Sequence, residues 1–371
     1  MAVGEIARTA GLPSALVAPA PTAPGAGAPS WLELGRADET ARFLALTSDL
    51  SRTFDPGGDG KRITAGHAYE GVATAAAWAS MCRDRSAAGP RQSIESFADR
   101  WREIRASAPA EPCHHVSLGP GDGSKDAVLL ADLSRANPDL CYLPVDASVE
   151  LLHLAVRDLV RTVSLPPDRV LSLPWDFALR ENVGALRRLL DELFGPTPVL
   201  FSLLGNTIAQ FDEDTKLLRL FADELLRPQD RLLLEVEATT RLGDALAAAA
   251  VAEYADSPAF GDFVTSALRH HTDLAAHRDD IETVATTEAD RALLVKTSYR
   301  NHEGQDVLTL PNRAGVPFAP DDTIRLALSR KYTAEGLADM LATAGLAITA
   351  DACAGTGGPF GLALLMLARN Y

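Results

Sequence analysis

The stretch VSLGPGDGSKD, Val116 to Asp126, decides how the chain folds. A short apolar run ends in three glycines at alternate positions, Gly119, Gly121 and Gly123, and Lys125 opens a segment of helical spacing, KDAVLLADLSRA. Glycine reaches positive φ without steric cost and lets a ligand approach the backbone closely. The first turn of the following helix offers unpaired N–H groups, which suit a carboxylate, phosphate or ribose oxygen. The loop reads as a nucleotide-type pocket between a strand and a helix.

Working outward, CYLPVDAS, RVLSLPWDF, PTPVLFSLLG and DRLLLEVEA read as strands, with helices such as ASVELLHLAVRDLVRTV, ENVGALRRLLDELF and TKLLRLFADELL between them. This alternation predicts an α/β, Rossmann-like parallel sheet with helices on both faces, binding ligands at the carboxyl ends of its strands. Residues 1–30, rich in Ala, Pro and Gly, read as a flexible tail. Residues 31–110 carry helical spacing, with Ser93 as an N-cap for SIESFADRWREI, and precede the core at 111–240. The alternation lapses at 241–320, which reads as an insertion forming a second, smaller substrate domain or lid. Residues 321–371 read as the strands and helix that complete the fold.

With 371 residues, 47% apolar and 23% charged, the composition is that of a globular protein. A net charge of −15 argues against nucleic acid or an anionic membrane as the main partner, since both need basic surface. No apolar run approaches the roughly 18 residues of a membrane span. The four cysteines, Cys82, Cys113, Cys141 and Cys353, form no CxxC pair, so neither structural zinc nor a disulfide framework is expected. The expectation is a reduced, cytoplasmic protein acting on a small molecule.

The loop GPGDGSKD misses G-x-G-x-x-G by one residue and lacks the Walker spacing. It fits the looser G-x-G-x-G loop of S-adenosylmethionine-dependent methyltransferases. Asp146 ends the second strand, twenty-three residues after Gly123, where a carboxylate accepts both ribose hydroxyls. Asp176-Phe177 ends the third, where an acid beside an aromatic ring suits adenine. Each has a plainer reading: a tight turn for the glycines, a helix cap for Asp146, a loop acid for Asp176. Three strand ends in series favour the cofactor.

The order SLGPGDGSKD, YLPVDAS, WDF, FSLLGNTIAQF resembles the histidine-specific methyltransferases, best known for trimethylating the α-amine of histidine in ergothioneine biosynthesis. Related fungal enzymes methylate the amine of prenylated tryptophan. The resemblance runs from about Val116 to the C-terminus, including SRKYTAEGLADMLATAGL, with a fainter match at HAYEG around Tyr69. It implies a class I methyltransferase fold using S-adenosyl-L-methionine. It also implies that Gly119, Gly121 and Gly123 hold the methionine end, that Lys125 is a loop lysine of the cofactor-binding set, that Asp146 binds ribose and that Asp176 and Phe177 bind adenine. On the substrate side, Tyr254 matches a tyrosine that grips carboxylate and amine, Gln210 stands where the family has asparagine, and Ala327 stands where it has the glutamate that meets imidazole. Tyr69, Asn206, Thr207 and Ser329 complete the expected substrate set.

Without the glutamate, the pocket at Ala327 is larger and less polar, and histidine fills it poorly. The expected reaction is in-line transfer to an amine, with Tyr254 or solvent taking the proton and no metal required. O-methylation, a non-amino-acid nitrogen, or nucleotide binding without methyl transfer remain alternatives. HHTDLAAH reads as surface or loop histidines, His114 and His115 as residues preceding the first strand, and no serine has a nucleophile-elbow context.

Overall fold

The computed structural model describes residues 17–19, 32–34, 39–53, 60–83, 94–107, 111–302, 304, 306–354 and 358–370. The N-terminal part supplies β1 (Val17–Pro19), β2 (Leu32–Leu34), α1 (Glu39–Leu50), β3 (Lys61–Arg62), α2 (Val72–Arg83) and α3 (Ile94–Ser107). The core continues with β4 (His114–Leu118), α4 (Ser124–Ala136), β5 (Tyr142–Val145), α5 (Val149–Thr162), β6 (Leu171–Ser172), α6 (Arg180–Phe194), β7 (Val199–Leu203), α7 (Asp214–Leu220) and β8 (Arg231–Thr239). Then follow α8 (Asp244–Ala255), α9 (Pro258–His271), β9 (Ile281–Glu288), β10 (Ala292–Arg300), β11 (Val307–Thr309), β12 (Gly315–Pro317), β13 (Thr323–Tyr332), α10 (Ala334–Thr343), β14 (Leu346–Ala354) and β15 (Phe360–Arg369).

β5, β4, β7 and β8 pair in parallel in that order, and β6 joins β5 through bridges at Val170 and Leu173. β15 runs antiparallel on β8 and carries β14 on its other edge. Every residue of β4, β5 and β7 is buried, as expected of central parallel strands covered on both faces. Phe201 and Leu203 of β7 pack with α6, α7 and α10 on one face, while Leu200 packs with α3, α4 and α5 on the other. Chain order reverses between β4 and β7, so the ligand crevice opens at their carboxyl ends.

Several expectations are corrected. β4 includes His114 and His115, and His115 is fully buried, its Nδ1 3.0 Å from the Leu200 carbonyl. Within the stretch expected to be a tail, Val17–Pro19 pairs with β2, which continues onto β6. Backbone pairing needs no apolar periodicity, so the composition gave no sign of it. The N-terminal helices divide: α3 covers the core sheet, whereas Leu46, Leu50 and Ile63 pack with α9, β10 and β13. β13 pairs in parallel with β8 at Tyr332 and Ala238 and carries β10 and then β9 on its other side, so the sheet runs on from the core into the insertion. The helix expected over TKLLRLFADELL passes into a π-helical turn at Phe221–Leu225. Ser93 falls outside the described residues. No helix among those described is long and apolar enough to cross a membrane.

Candidate active site

Gly119, Gly121 and Gly123 have φ of 72°, 61° and 75°, the left-handed region that favours glycine. Each also faces a different neighbour. A Cβ at Gly123 would lie 2.9 Å from the Ala155 carbonyl oxygen, so this glycine lets α4 approach α5. A Cβ at Gly121 would lie 3.0 Å from the Trp78 ring. At Gly119 it would stand 3.6 Å from the Thr207 methyl and 3.8 Å from the Phe177 ring, in the space between the ends of β4, β6 and β7.

The two acids sit on the adjacent strand ends. Asp146 Oδ1 accepts from the Ser148 N–H at 2.8 Å, and Asp176 Oδ1 from the Ala178 N–H at 2.9 Å. Ser148 itself caps α5, accepting from the Leu151 N–H, so Asp146 is not the cap. Burial, reinforced by Asp176, pushes the Asp146 carboxyl up to about 7, against the lowering effect of the Ser148 N–H and Arg42. Arg42 donates to the Gly66 carbonyl at 2.7 Å and pairs with Glu70. Gly66 in turn lies so close to Asp176 that a Cβ there would be 2.6 Å from Oδ2. The N-terminal segment thus covers both acids.

Lys125, expected among the cofactor-site residues, is held by a protein partner. Its ammonium is engaged by Glu235, a fully buried acid in β8 that also accepts from Arg100 Nη2 at 2.8 Å and the Gly205 N–H at 2.7 Å. Glu235 therefore ties the start of α4, the loop after β7 and α3 together.

Of the residues expected to face the substrate, Tyr69 donates to Gln210 Oε1 at 2.6 Å, and Tyr254 donates to Ser329 Oγ at 2.9 Å. Four residues far apart in sequence are thereby brought together in two pairs. Asn206 and Thr207 are instead committed to bonds that fix their own loop. Asn206, at φ 62°, donates to Ser329 Oγ (3.2 Å) and the Arg330 carbonyl (3.1 Å) and accepts from the Glu237 N–H (3.0 Å). Thr207 Oγ1 donates to the Leu204 carbonyl at 2.6 Å. Burial raises the Tyr254 phenol, so at neutral pH it is a protonated hydrogen-bonding group. Ala327 sits on β13 opposite Thr297, packed on the same apolar cluster as Tyr69, Trp78 and Phe260.

Sequence reading missed Arg42, Trp78, Glu235 and Lys331. Lys331 is fully buried, 2.5 Å from Glu237 and 2.6 Å from Glu253, and fastens α8 beside Tyr254. His271 is likewise corrected from a surface or loop position to a buried one. It forms a cluster with Glu70 and His270 whose ligand atoms lie within 4.8 Å. His271 Nε2 donates to the His67 carbonyl at 2.8 Å, while Glu70 is held by Arg42 and His67, so the protein's own bonds already engage His271 and Glu70.

The glycine cradle and the strand-end acids fit an adenosyl cofactor. With β15 reversed between β8 and β14, they define an S-adenosylmethionine-dependent methyltransferase of class I fold. The chain belongs to the family of histidine-specific, SAM-dependent methyltransferases, whose model matches residues 77–366. None of the curated proteins matches the sequence. Among solved structures, it is similar to an S-adenosylmethionine-dependent methyltransferase from Clostridium acetobutylicum (13% identity, 75% of this chain and 93% of that chain, TM-score 0.39). It is also similar to the magnesium protoporphyrin IX methyltransferase ChlM from Synechocystis (11%, 79% and 94%, TM-score 0.38). A third is CalS10, an amino pentose methyltransferase from Micromonospora echinaspora (15%, 75% and 92%, TM-score 0.37).

Proposed function

We propose that the chain methylates the amine of an amino acid, or of a small molecule derived from one, other than histidine. Bound on the glycine loop, S-adenosylmethionine supplies a methyl group already activated on a sulfonium. In this reading Asp146 accepts from the ribose, Asp176 and Phe177 take the adenine, and Lys125 stiffens the loop through Glu235. Holding acceptor and methyl donor in line, with water excluded, is then the main task of the protein.

The observation that carries the reading is the pairing of polar groups beside an apolar wall. Gln210 Oε1 accepts from Tyr69, and its amide nitrogen has no partner among the described residues. Ser329 Oγ accepts from both Tyr254 and Asn206, so its own proton is left to donate outward. Two donors, Gln210 Nε2 and the Ser329 hydroxyl, then suit a carboxylate. The phenol oxygens of Tyr69 and Tyr254 can accept from the amine, whose proton goes to solvent before attack. Beyond them Ala327 stands with Tyr69, Trp78 and Phe260 and offers an imidazole N–H no acceptor.

Leaving that N–H unpaired costs about 1–3 kcal/mol, or roughly fivefold to 150-fold in kcat/KM. L-histidine is therefore a poor acceptor, and Ala327→Glu shifts preference toward it. The test is methyl transfer from isotopically methyl-labelled cofactor to histidine, tryptophan and an extract of small metabolites, read by mass spectrometry for both chains. Efficient histidine methylation by the natural chain overturns the reading.

A further inference from the structure

We propose that Trp78 is a cofactor-contacting residue whose indole face holds the positively charged sulfonium and separates it from solvent at the junction with the acceptor. The inference rests on the cofactor lying along the glycine loop and is independent of which acceptor is used.

The sheet order carries the argument. With adenine at the end of β6 and ribose at the end of β5, the methionine end must lie over β4 and point toward β7. Trp78 stands over that half of the crevice. Its six-membered ring packs on Gly121 in the loop after β4, Cη2 and Cζ2 being 3.0 and 3.4 Å from where a Cβ would stand. A side chain at Gly121 would displace the ring, so glycine and indole are matched in shape. Trp78 also meets Tyr69 edge-on, with ring centroids 6.3 Å apart and planes at 80°. Tyr69 is the residue bonded to Gln210 in the loop after β7. One indole therefore spans the β4 and β7 loops, where the methyl group changes partner.

The ring is only partly buried, and no hydrogen bond ties its nitrogen among the described residues. An indole presents the most electron-rich aromatic face available to a cation, and the attraction grows as water is excluded. Methyl transfer turns the cationic sulfonium into a neutral thioether. A contact of this kind favours S-adenosylmethionine over S-adenosylhomocysteine and so assists exchange of product for fresh cofactor. The bland role, simple packing on Gly121, affects both ligands alike.

That difference is the test. Calorimetry with S-adenosylmethionine and S-adenosylhomocysteine is run on the natural chain, Trp78→Leu and Trp78→Phe. The expected result is that Trp78→Leu loses roughly threefold to thirtyfold more affinity for the cation than for the thioether. Trp78→Phe, which keeps an aromatic face and guards against a variant that fails to fold, falls between. Equal changes for the two ligands, or no change for either, overturn the proposal. Failure of the natural chain to bind either ligand instead removes the placement of the cofactor on which it rests.

Discussion

Asp146→Ala weakens S-adenosylhomocysteine binding from about tenfold to more than a hundredfold, because a hydrogen bond to a charged acceptor contributes about 1.5–3 kcal/mol. The same residue gives binding a pH dependence. Desolvated and close to Asp176, its carboxyl is pushed up to about 7, whereas two ribose hydroxyls are best accepted by the ionised form. Binding therefore releases a proton below that pH, and affinity falls as pH falls from 7, by up to about tenfold per unit. The ligand-free chain behaves oppositely. A carboxyl raised on folding contributes stability that is fully present below its unfolded value and lost as pH rises through about 7. Calorimetry between pH 5.5 and 8 separates the two slopes, and the Asp146→Ala chain has neither. Unchanged affinity in the variant would refute the ribose assignment.

The glycines and strand-end acids were legible because backbone geometry and strand periodicity fix them locally. Gly119, Gly121 and Gly123 all take positive φ. Their separate reasons, a pocket wall, an indole and a neighbouring helix, lie in residues distant in sequence. Tyr69, Gln210, Tyr254 and Ser329 were found through resemblance, and only folding makes them pairs. Asn206 and Thr207 belong to the same motif, yet Thr207 closes the loop on itself and Asn206 ties it to β8 and β13. The missed hub did leave a trace. Glu235 and Glu237 interrupt the apolar run of DRLLLEVEA on the same face of β8, and charged residues are rarely buried unless paired. Each does pair with a lysine, Glu235 with Lys125 and Glu237 with Lys331. The sequence marks that partners must exist, but contacts across 110 and 94 residues cannot be assigned from spacing.

Glu235→Ala is expected to give the largest loss of stability of any substitution in the site, about 3–5 kcal/mol, the range for breaking a buried ion pair from one side. The carboxylate is fully buried and satisfies three donors, on Arg100, Lys125 and Gly205. Its removal strands Arg100, which is 3% exposed and already has Nη1 buried without a partner. Burial alone raises the Glu235 pKa, but Lys125 and Arg100 outweigh it and hold it below the usual range. Its stabilisation is therefore present above the ordinary glutamate value and lost as pH falls through the depressed one. Glu235→Gln keeps an oxygen for the Gly205 N–H while losing the charge, so it falls between the natural chain and alanine. Urea unfolding at pH 7 measures the order. Because the lost bonds join the glycine-loop helix to the loop after β7, the glutamine variant also binds S-adenosylhomocysteine more weakly at a pH where it remains folded. A loss below about 1 kcal/mol for alanine, the size of an exposed pair, would show that the three donors find other partners and that the hub does not hold the site together.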